Sequence, residues 1–351
     1  MTVMTDAASA LPALNAFRRV DLGAHRTPVE PLPRLGEMLG IRLHVKRDDL
    51  FSLALGGNKV RQLEYFLGPA LDCDADTVLV SGATQSNMVR LTVAAARRLG
   101  LSAVVQLEDR VPRDDATFHG SGNVLLDRLL GADIHHVPAD WDEARATANL
   151  DRLADKCRAA GQTPFVIHTA PDQMPLGSLG YAIAAVEVFD QFPAAERPDH
   201  VVIASGSGIS HAGFLAGARA LGWDVPVHGI CVRRPADAQR PRLMKRLVFL
   251  ADMLGDVPVQ VDAVLLNDVD FAPGYGVLND AVLKAVRLAA ETEALLLDPT
   301  YTGRTFAGLM SLVREGTIRP NARVLFMHTG GQPGLFAYAD DLIGGDAPGR
   351  P

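Results

Sequence analysis

Cysteine and positive charge are scarce in this chain, and each shortage excludes a class of protein. The three cysteines, Cys73, Cys157 and Cys231, lie far apart and form no CxxC motif. Neither a disulfide framework nor a zinc site is therefore expected, and a reducing cytoplasm fits best. The formal net charge of -7 argues against a nucleic acid or an anionic membrane as a partner. Small solutes are the better candidates.

The N-terminal segment also lacks the features of a targeting signal or a membrane span. It has no charged n-region, and its apolar stretch is broken by Pro12 and Asn15. What the chain does have is the composition of an ordinary globular protein, with 48% hydrophobic and 21% charged residues. At 351 residues it is long enough for two lobes and a sizeable core.

From residue 77 onward, short β-rich runs alternate with amphipathic helical stretches. This alternation is typical of an α/β protein, in which crossover helices join parallel strands. The predicted strands are Thr77–Val80, Ala103–Leu107, Ile134–Val137, Phe165–His168, His200–Ala204, Val227–Val232, Ala294–Leu297 and Arg323–His328. We expect a small domain over residues 56–169, inserted into a large domain made of residues 1–55 and 170–351.

Lys59 stands in the segment GGNKVRQLEY, on a glycine-rich turn that enters an amphipathic helix. Gly56 and Gly57 allow positive φ, and Asn58 is placed to cap the helix. A lysine so held becomes a nucleophile toward carbonyl groups, or a Schiff-base partner of pyridoxal phosphate, when its neutral amine is favoured. Considered alone, however, the segment slightly favours an ordinary solvated lysine in the first helical turn.

A second glycine-rich segment, VVIASGSGISHAGFLAGARALG, runs from a strand into a helix. Free backbone N–H groups and the helix dipole make such a helix N-terminus a phosphate site. The residues of this phosphate cup are Gly206, Ser207, Gly208, Ile209 and Ser210. A dinucleotide site, with Arg233 and Arg234 on a 2′-phosphate, is the rival interpretation. It ranks low because His211 replaces the third glycine of that motif.

Two further features carry side chains suited to chemistry. Ser86, Asn87 and Met88 open a helix after a strand, where their amides and the serine hydroxyl could bind a carboxylate or relay a proton. Alone, Ser86 is more often only an N-cap. Tyr275 and Tyr301 lie in glycine-rich turns, where a tyrosine stacks on a cofactor ring or acts as an acid, although singly each is more often a loop residue.

Five motifs occur in this order along the chain: GGNK, QSN, APGYG, DPTYTGR and FMHTGGQPGLFAY. Together they resemble the D-cysteine desulfhydrase and 1-aminocyclopropane-1-carboxylate deaminase group, from about His25 to Tyr338. These are pyridoxal 5'-phosphate (PLP) enzymes of the tryptophan-synthase-β type, fold type II. The resemblance implies two lobes, each an open, mostly parallel, twisted sheet flanked by helices, and a homodimer.

The resemblance also assigns roles to residues of this chain. It makes Lys59 the Schiff-base lysine and the base that removes the Cα proton, and it places the cofactor phosphate in the SGSGIS loop. Ser86, Asn87 and the Met88 amide would hold the carboxylate of a small amino-acid substrate. Tyr301 would stack on the cofactor ring and Tyr275 would reach the substrate. The further cofactor contacts implied are Asn58, Asn87, Thr302 and Thr329.

Within this group, Thr302 favours the desulfhydrases, because the deaminases carry glutamate there. A hydroxyl from Thr302 or Thr329 would leave the pyridine nitrogen near neutral, which suits β-elimination of a good leaving group better than ring opening. Met88 replaces a histidine and Gln62 replaces a cation of the desulfhydrase pattern. L-cysteate sulfo-lyase, 1-aminocyclopropane-1-carboxylate deaminase and a catalytically silent binding protein therefore stay open as alternatives to D-cysteine desulfhydrase.

Two other clusters, one of histidines and one of aspartates, carry side chains that are found in functional sites. His135 and His136 are adjacent, with no third ligand at metal spacing, so no metal is expected. Asp48 and Asp49 could form an acid pair. Adjacent carboxylates on a strand point to opposite faces, however, which favours ion pairs or turn contacts.

Overall fold

Two sheets covered by helices form the protein, and the computed structural model describes residues 7–138, 140–257 and 261–343. Within these residues the larger sheet has the strand order β1-β2-β10-β7-β8-β9 and the smaller sheet the order β5-β4-β3-β6. The strands are β1 Val29–Pro31, β2 Arg42–Arg47, β3 Thr77–Ala83, β4 Ser102–Glu108, β5 Asp133–Val137, β6 Pro164–Ile167, β7 His200–Ser205, β8 Val227–Cys231, β9 Leu265–Asn267 and β10 Arg323–His328.

Helices lie between most of the strands. In the described residues the α-helices are α1 Ala7–Ala10, α2 Pro33–Leu39, α3 Lys59–Phe66, α4 Gly68–Asp72, α5 Asn87–Arg98, α6 Ala116–Gly120, α7 Gly122–Leu129, α8 Glu143–Ala159, α9 Leu176–Gln191, α10 Ile209–Ala220, α11 Ala236–Met253, α12 Asp280–Glu293, α13 Thr302–Arg314, α14 Pro333–Ala337 and α15 Ala339–Ile343. Short 3-10 helices cover Pro12–Ala16, Asp48–Leu50, Leu53–Leu55, Ala194–Glu196 and Val261–Ala263.

The described strand pairs are parallel except for β1 with β2. In the smaller sheet Thr77 of β3 lies opposite Ser102 and Pro164, which puts the carboxyl ends of three neighbouring strands at one edge. The two central strands, β3 and β4, are buried along most of their length, which explains their mostly apolar sequences. The α/β fold with two mostly parallel sheets confirms the predicted fold class.

Seven of the eight predicted strands are present, and one is wrong. Residues 294–298 form irregular backbone after α12, although Leu295 and Leu297 are buried while Leu296 is exposed. The alternation that predicted a strand is therefore real, but Ala294 takes a left-handed conformation (φ 52°) and the segment leads into a loop. The strands β1, β2 and β9 were missed; β1 and β9 have three residues each.

The smaller sheet is built entirely from residues 77–167, and the larger sheet takes strands from both sides of that stretch. The division into a domain of residues 56–169 and one of residues 1–55 and 170–351 stays a prediction. None of the helices in the described part of the chain has the length and apolar character needed to span a membrane.

A buried ion cluster anchors α3 to the larger sheet. The Arg61 guanidinium donates to both carboxylate oxygens of Asp48, each at 3.0 Å, and to both of Glu187, at 2.7 and 2.8 Å. Lys46 of β2 donates to the same Glu187 at 2.8 Å. Two cations thus balance two anions in the interior. Asp48 and Asp49 lie in a 3-10 helix rather than a strand, but the expected ion pairs form, with Arg61 and Arg47.

Helices α9 and α10 pack at backbone distance because of two glycines. A Cβ atom on Gly213 would overlap the carbonyl oxygen of Ser178, and one on Gly217 would lie 2.6 Å from the Cα atom of Ala182. Both contacts join α10 to the helix behind it, so they set the position of the α10 N-terminus. Glycine at these positions is therefore a packing requirement.

We predict that Gly213→Ala lowers the free energy of unfolding by about 1–3 kcal/mol, because the added methyl group forces the two helices apart. Gly120→Ala is the matched control, since a Cβ atom there meets nothing within 4 Å. Urea unfolding of both variants measures the difference. Equal stability of the two variants would contradict the packing argument.

Candidate active site

Lys59 is the first residue of α3 and lines a cavity of about 100 Å³ between the carboxyl ends of the two sheets. The preceding turn has the predicted positive φ angles, 62° at Gly56 and 117° at Gly57. A Cβ atom on Gly57 would lie 3.0 Å from the Thr329 carbonyl oxygen, which explains the need for glycine there. The turn is fixed further by the Asn58 amide, which donates to Thr329 at 3.0 Å.

The electrostatic surroundings of Lys59 favour its neutral amine. Burial lowers the pKa of Lys59 to about 8, and the positive charge of Arg246 acts in the same direction. Arg246 itself is 1% exposed and donates from Nε to the carbonyl oxygen of Ser207 at 2.9 Å. A lysine with this pKa has a substantial fraction of nucleophilic amine near neutral pH.

The SGSGIS loop lies at the end of β7 and opens α10, as predicted. Gly208 has φ 86° and is the N-cap, so the amides of the first helical turn face the cavity. The Ser210 hydroxyl accepts from Asn58 Nδ2 at 2.9 Å and from Gln62 Nε2 at 2.8 Å. Ser210 also forms a side-chain hydrogen bond with Tyr181, so this hydroxyl ties the loop to α3 and α9. All five residues of the phosphate cup, Gly206, Ser207, Gly208, Ile209 and Ser210, line the cavity.

The second helix N-terminus also opens into the cavity. Ser86 is the N-cap of α5, and its Oγ accepts from the Val89 amide at 3.2 Å, which confirms the expected capping role. Asn87 and Met88 follow in the first turn and line the same cavity. Arg90 donates to the Asn87 carboxamide oxygen at 3.1 Å and so orients that side chain.

Tyr275 and Tyr301 contact each other in the wall of the cavity. Their hydroxyl oxygens are 2.7 Å apart and their rings meet edge to face, with centroids 6.0 Å apart. Burial raises the pKa of Tyr301 well above its ordinary value, and Tyr275 beside it adds to the shift. The backbone of Tyr301 is held by Asp298, whose Oδ2 accepts from its amide at 2.8 Å. Tyr301 therefore stays protonated over the working pH range.

The structure departs from two expectations, one about Thr302 and one about the capping role of Asn58. Thr302 is fully buried and does not line the cavity; its hydroxyl donates to Asp298 Oδ1 at 2.7 Å and accepts from the Asp298 amide at 2.8 Å. Its hydrogen-bonding capacity is thus used within the loop, away from the cavity in which the resemblance places the cofactor. Asn58 does not cap α3, because its side chain donates to Ser210 instead. Thr329 does line the cavity.

Other residues of the cavity had no assignment from the sequence. Gln62 binds Ser210, and Arg110 and Arg233 contribute cations to the wall. Arg233 was considered only for a 2′-phosphate, yet it forms an ion pair with Glu143 at 2.7 Å. Arg110 carries no sequence signal, because its approach to Arg233 depends on how the two sheets face each other. Their position just after a predicted strand is the one sequence feature that could have identified either arginine as a site residue.

Comparison with known proteins agrees with this geometry. Residues 20–330 match the family described as pyridoxal-phosphate dependent enzyme. D-cysteine desulfhydrases of Salmonella paratyphi C and Salmonella typhi are 40% identical over 325 residues, which cover 93% of this chain and 97% of each relative. A crystal structure of an ACC deaminase homologue superimposes with a TM-score of 0.85 at 34% identity, covering 95% of this chain and 98% of that one. Maize serine racemase, at 17% identity and a TM-score of 0.65 over 94% of both chains, shares the fold.

The cavity fits the cofactor that this family uses. Lys59 and the N-terminus of α10 line the same cavity, and Gly206 keeps its wall open beside Tyr301, since a Cβ atom there would lie 3.1 Å from Val232 and 3.6 Å from the Tyr301 ring. The cavity can thus bind the aldehyde, the phosphate and the aromatic ring of one ligand at the same time. The chain belongs to the family of pyridoxal-phosphate dependent enzymes.

Proposed function

We propose that the protein is a PLP-dependent lyase that eliminates the β-substituent of a small amino acid and releases a keto acid and ammonia. The observation that carries this proposal is the convergence of Lys59, the phosphate cup, the N-terminus of α5 and the tyrosine pair on one cavity. The 40% identity to D-cysteine desulfhydrases over 97% of their length supports D-cysteine or a close analogue as substrate.

Lys59 carries the covalent attachment of the cofactor and takes the proton from Cα. Its lowered pKa, about 8, supports both tasks, because an amine must lose its own proton before it attacks an aldehyde or acts as a base. The chemistry supplied by bound PLP is delocalisation of the electron pair left on Cα.

The phosphate is held by the first-turn amides of α10, the helix that Ser210 opens. Gln62 stands where desulfhydrases carry a cation, and its Nε2 donates a hydrogen bond to the Ser210 hydroxyl. Arg246 compensates for that missing charge, since its Nε binds the Ser207 carbonyl inside the same loop. Helix dipole and buried guanidinium act on the anion from the same side.

The substrate carboxylate binds at the N-terminus of α5. Because Ser86 Oγ already accepts from Val89, its hydrogen is free to donate to that carboxylate, beside the Met88 amide and the Asn87 side chain. Tyr301 stacks on the cofactor ring. Tyr275 shares a proton with Tyr301 and is placed to donate to the group that leaves Cβ. Thr329 is the hydroxyl that remains for the pyridine nitrogen, which favours elimination over ring opening.

A cytoplasmic homodimer is the arrangement that the family resemblance implies. The free thiols of Cys73, Cys157 and Cys231 are compatible with a reducing compartment. The oligomeric state can be measured by light scattering of the purified protein.

Replacement of Lys59 tests the cofactor assignment. Borohydride reduction of the PLP-loaded protein should place the cofactor mass on the peptide that contains Lys59, and Lys59→Ala should abolish this label. It should also lower kcat by at least about a hundredfold, since a general base contributes that much. Lys156→Ala, on the exposed face of α8, is the control; this variant should keep the label on the Lys59 peptide and the kcat of the wild type. Label on another lysine would contradict the assignment.

The substrate class is tested by keto-acid release from a panel of amino acids in both hands. We expect turnover of cysteine, cysteate or β-chloroalanine, and none of 1-aminocyclopropane-1-carboxylate, because Thr329 provides a hydroxyl where ring opening needs a protonated pyridine. Release from the cyclopropane alone would overturn the lyase assignment. A spectral change without product from any compound would indicate a silent binding protein.

The pKa of Lys59 predicts the pH dependence of its labelling in cofactor-free protein. The folded state holds this pKa at about 8, below the ordinary lysine value of 10.5, so the reactive amine appears as the pH rises through about 8. Labelling by an acylating reagent, followed by peptide mass spectrometry, should be half-maximal there, whereas N-acetyl-lysine in the same tube should need a higher pH. Identical profiles would show that the site leaves Lys59 unchanged.

A further inference from the structure

Two arginines of the cavity wall have no task in the proposed reaction. Arg110 follows β4 of the smaller sheet and Arg233 follows β8 of the larger one, and both line the cavity that contains Lys59. Arg233 is close enough to Tyr275 and Tyr301 to interact with their hydroxyl groups electrostatically. The two arginines therefore stand at the side of the cavity where the group on Cβ of the substrate would lie.

The charges around these arginines do not balance. Arg110 pairs with Glu108, through Nε at 2.6 Å, while Arg233, Arg234 and Arg242 all share Glu143. In this cluster of the described residues, four guanidinium groups thus meet two carboxylates. Like charges close together in a partly buried place repel one another. Such an excess is relieved when an anion binds.

One polar atom of this cluster is also left open. The Nε atom of Arg242 is buried and has no hydrogen-bond partner among the described residues. A second cavity, of about 80 Å³, adjoins the first and is also lined by Arg110 and Arg233. Arg110 and Arg233 thus lie where the two cavities meet, and Arg242 and His168 line the second cavity. Both cavities present cations to a group that extends from the substrate.

We propose that Arg110 and Arg233 bind an anionic group on Cβ of the substrate, so that the enzyme prefers an amino acid with an oxyanion side chain, such as a sulfonate, to one with a thiol. This inference rests on the proposed lyase function. The substrate carboxylate is already met at the N-terminus of α5, so a second cationic site implies a second anion. The planar guanidinium forks suit oxyanions, whereas a thiol with an ordinary pKa of about 8.5 is mostly uncharged at pH 7.

The reaction balances without an oxidant. The proton leaves Cα, and the bond between Cβ and sulfur breaks with its electron pair on sulfur. With one water, cysteate gives pyruvate, ammonia and hydrogen sulfite. Negative charge gathers on the departing group as the bond breaks, so arginines placed there assist departure as well as binding.

The decisive measurement is the ratio of kcat/KM for cysteate to kcat/KM for cysteine, taken for the same hand. Arg233→Gln should lower this ratio by roughly thirtyfold or more, as expected for loss of one partner of a buried charge pair. Arg110→Gln should act in the same direction and guards against a folding defect of the first variant. Arg234→Gln is the matched control, because it breaks the same Glu143 pair without lining the cavity. It should change the ratio by less than about threefold.

Binding of methanesulfonate, measured by calorimetry on the PLP-loaded enzyme, gives a readout that needs no turnover. The wild type and Arg234→Gln should bind it, and Arg233→Gln should bind it at least about tenfold more weakly. Equal binding by all three, or a wild type that prefers cysteine to cysteate in both hands, overturns the inference while the lyase function stands. Failure to turn over any β-substituted amino acid overturns the function itself, and methanesulfonate binding then still decides whether the arginines form an anion site.

Discussion

The buried ion cluster behind α3 is the interaction on which the site depends. Arg61 lies two residues after Lys59 and donates hydrogen bonds to the carboxylates of Asp48 and Glu187. The Asp48 carbonyl oxygen also accepts from the Gly57 amide at 3.0 Å, so one residue holds both sides of the lysine-bearing turn. Burial of four charges carries a desolvation cost that the mutual pairing offsets only in good geometry. The same requirement fixes the direction in which Lys59 enters the cavity.

The same cluster pairs the carboxylates behind α3. Asp48 and Glu187 are bound by Arg61 and Lys46, and the charged neighbour that perturbs Lys59 is the cation Arg246. Burial is the larger cause of the lowered pKa of Lys59, and the positive charge of Arg246 adds to it. The reactivity of Lys59 thus follows first from its burial at the start of α3 and then from one neighbouring cation.

The sequence predicted those parts of the structure that depend on local pattern. Parallel strands buried on both faces leave apolar runs, and helix N-termini that bind anions leave glycine and serine, so most strands and the segments around Lys59, Gly206 and Ser86 were recognisable. Strand β2, RLHVKR, was missed because Lys46 and Arg47 are charged; Lys46 is buried through its pairing with Glu187, and Arg47 is half-buried against Asp49. Thr302 was expected to contact the cofactor, but Asp298 of the same DPTYTGR motif accepts from both its amide and its hydroxyl, a pairing that the residue types alone do not reveal. Contacts between distant segments were beyond the reach of local pattern.

The residues that we propose to bind the cofactor and those that we propose to face the substrate side chain have different structural origins. Lys59, the phosphate cup and Ser86 act at the first turns of helices, where backbone geometry limits what can change. Arg110 and Arg233 lie in loops after strands of different sheets and act through side chains alone. A substitution at either arginine leaves the helix N-termini intact. Selectivity for the group on Cβ can therefore change while cofactor attachment and proton transfer are retained, which accounts physically for relatives of one fold that differ in substrate.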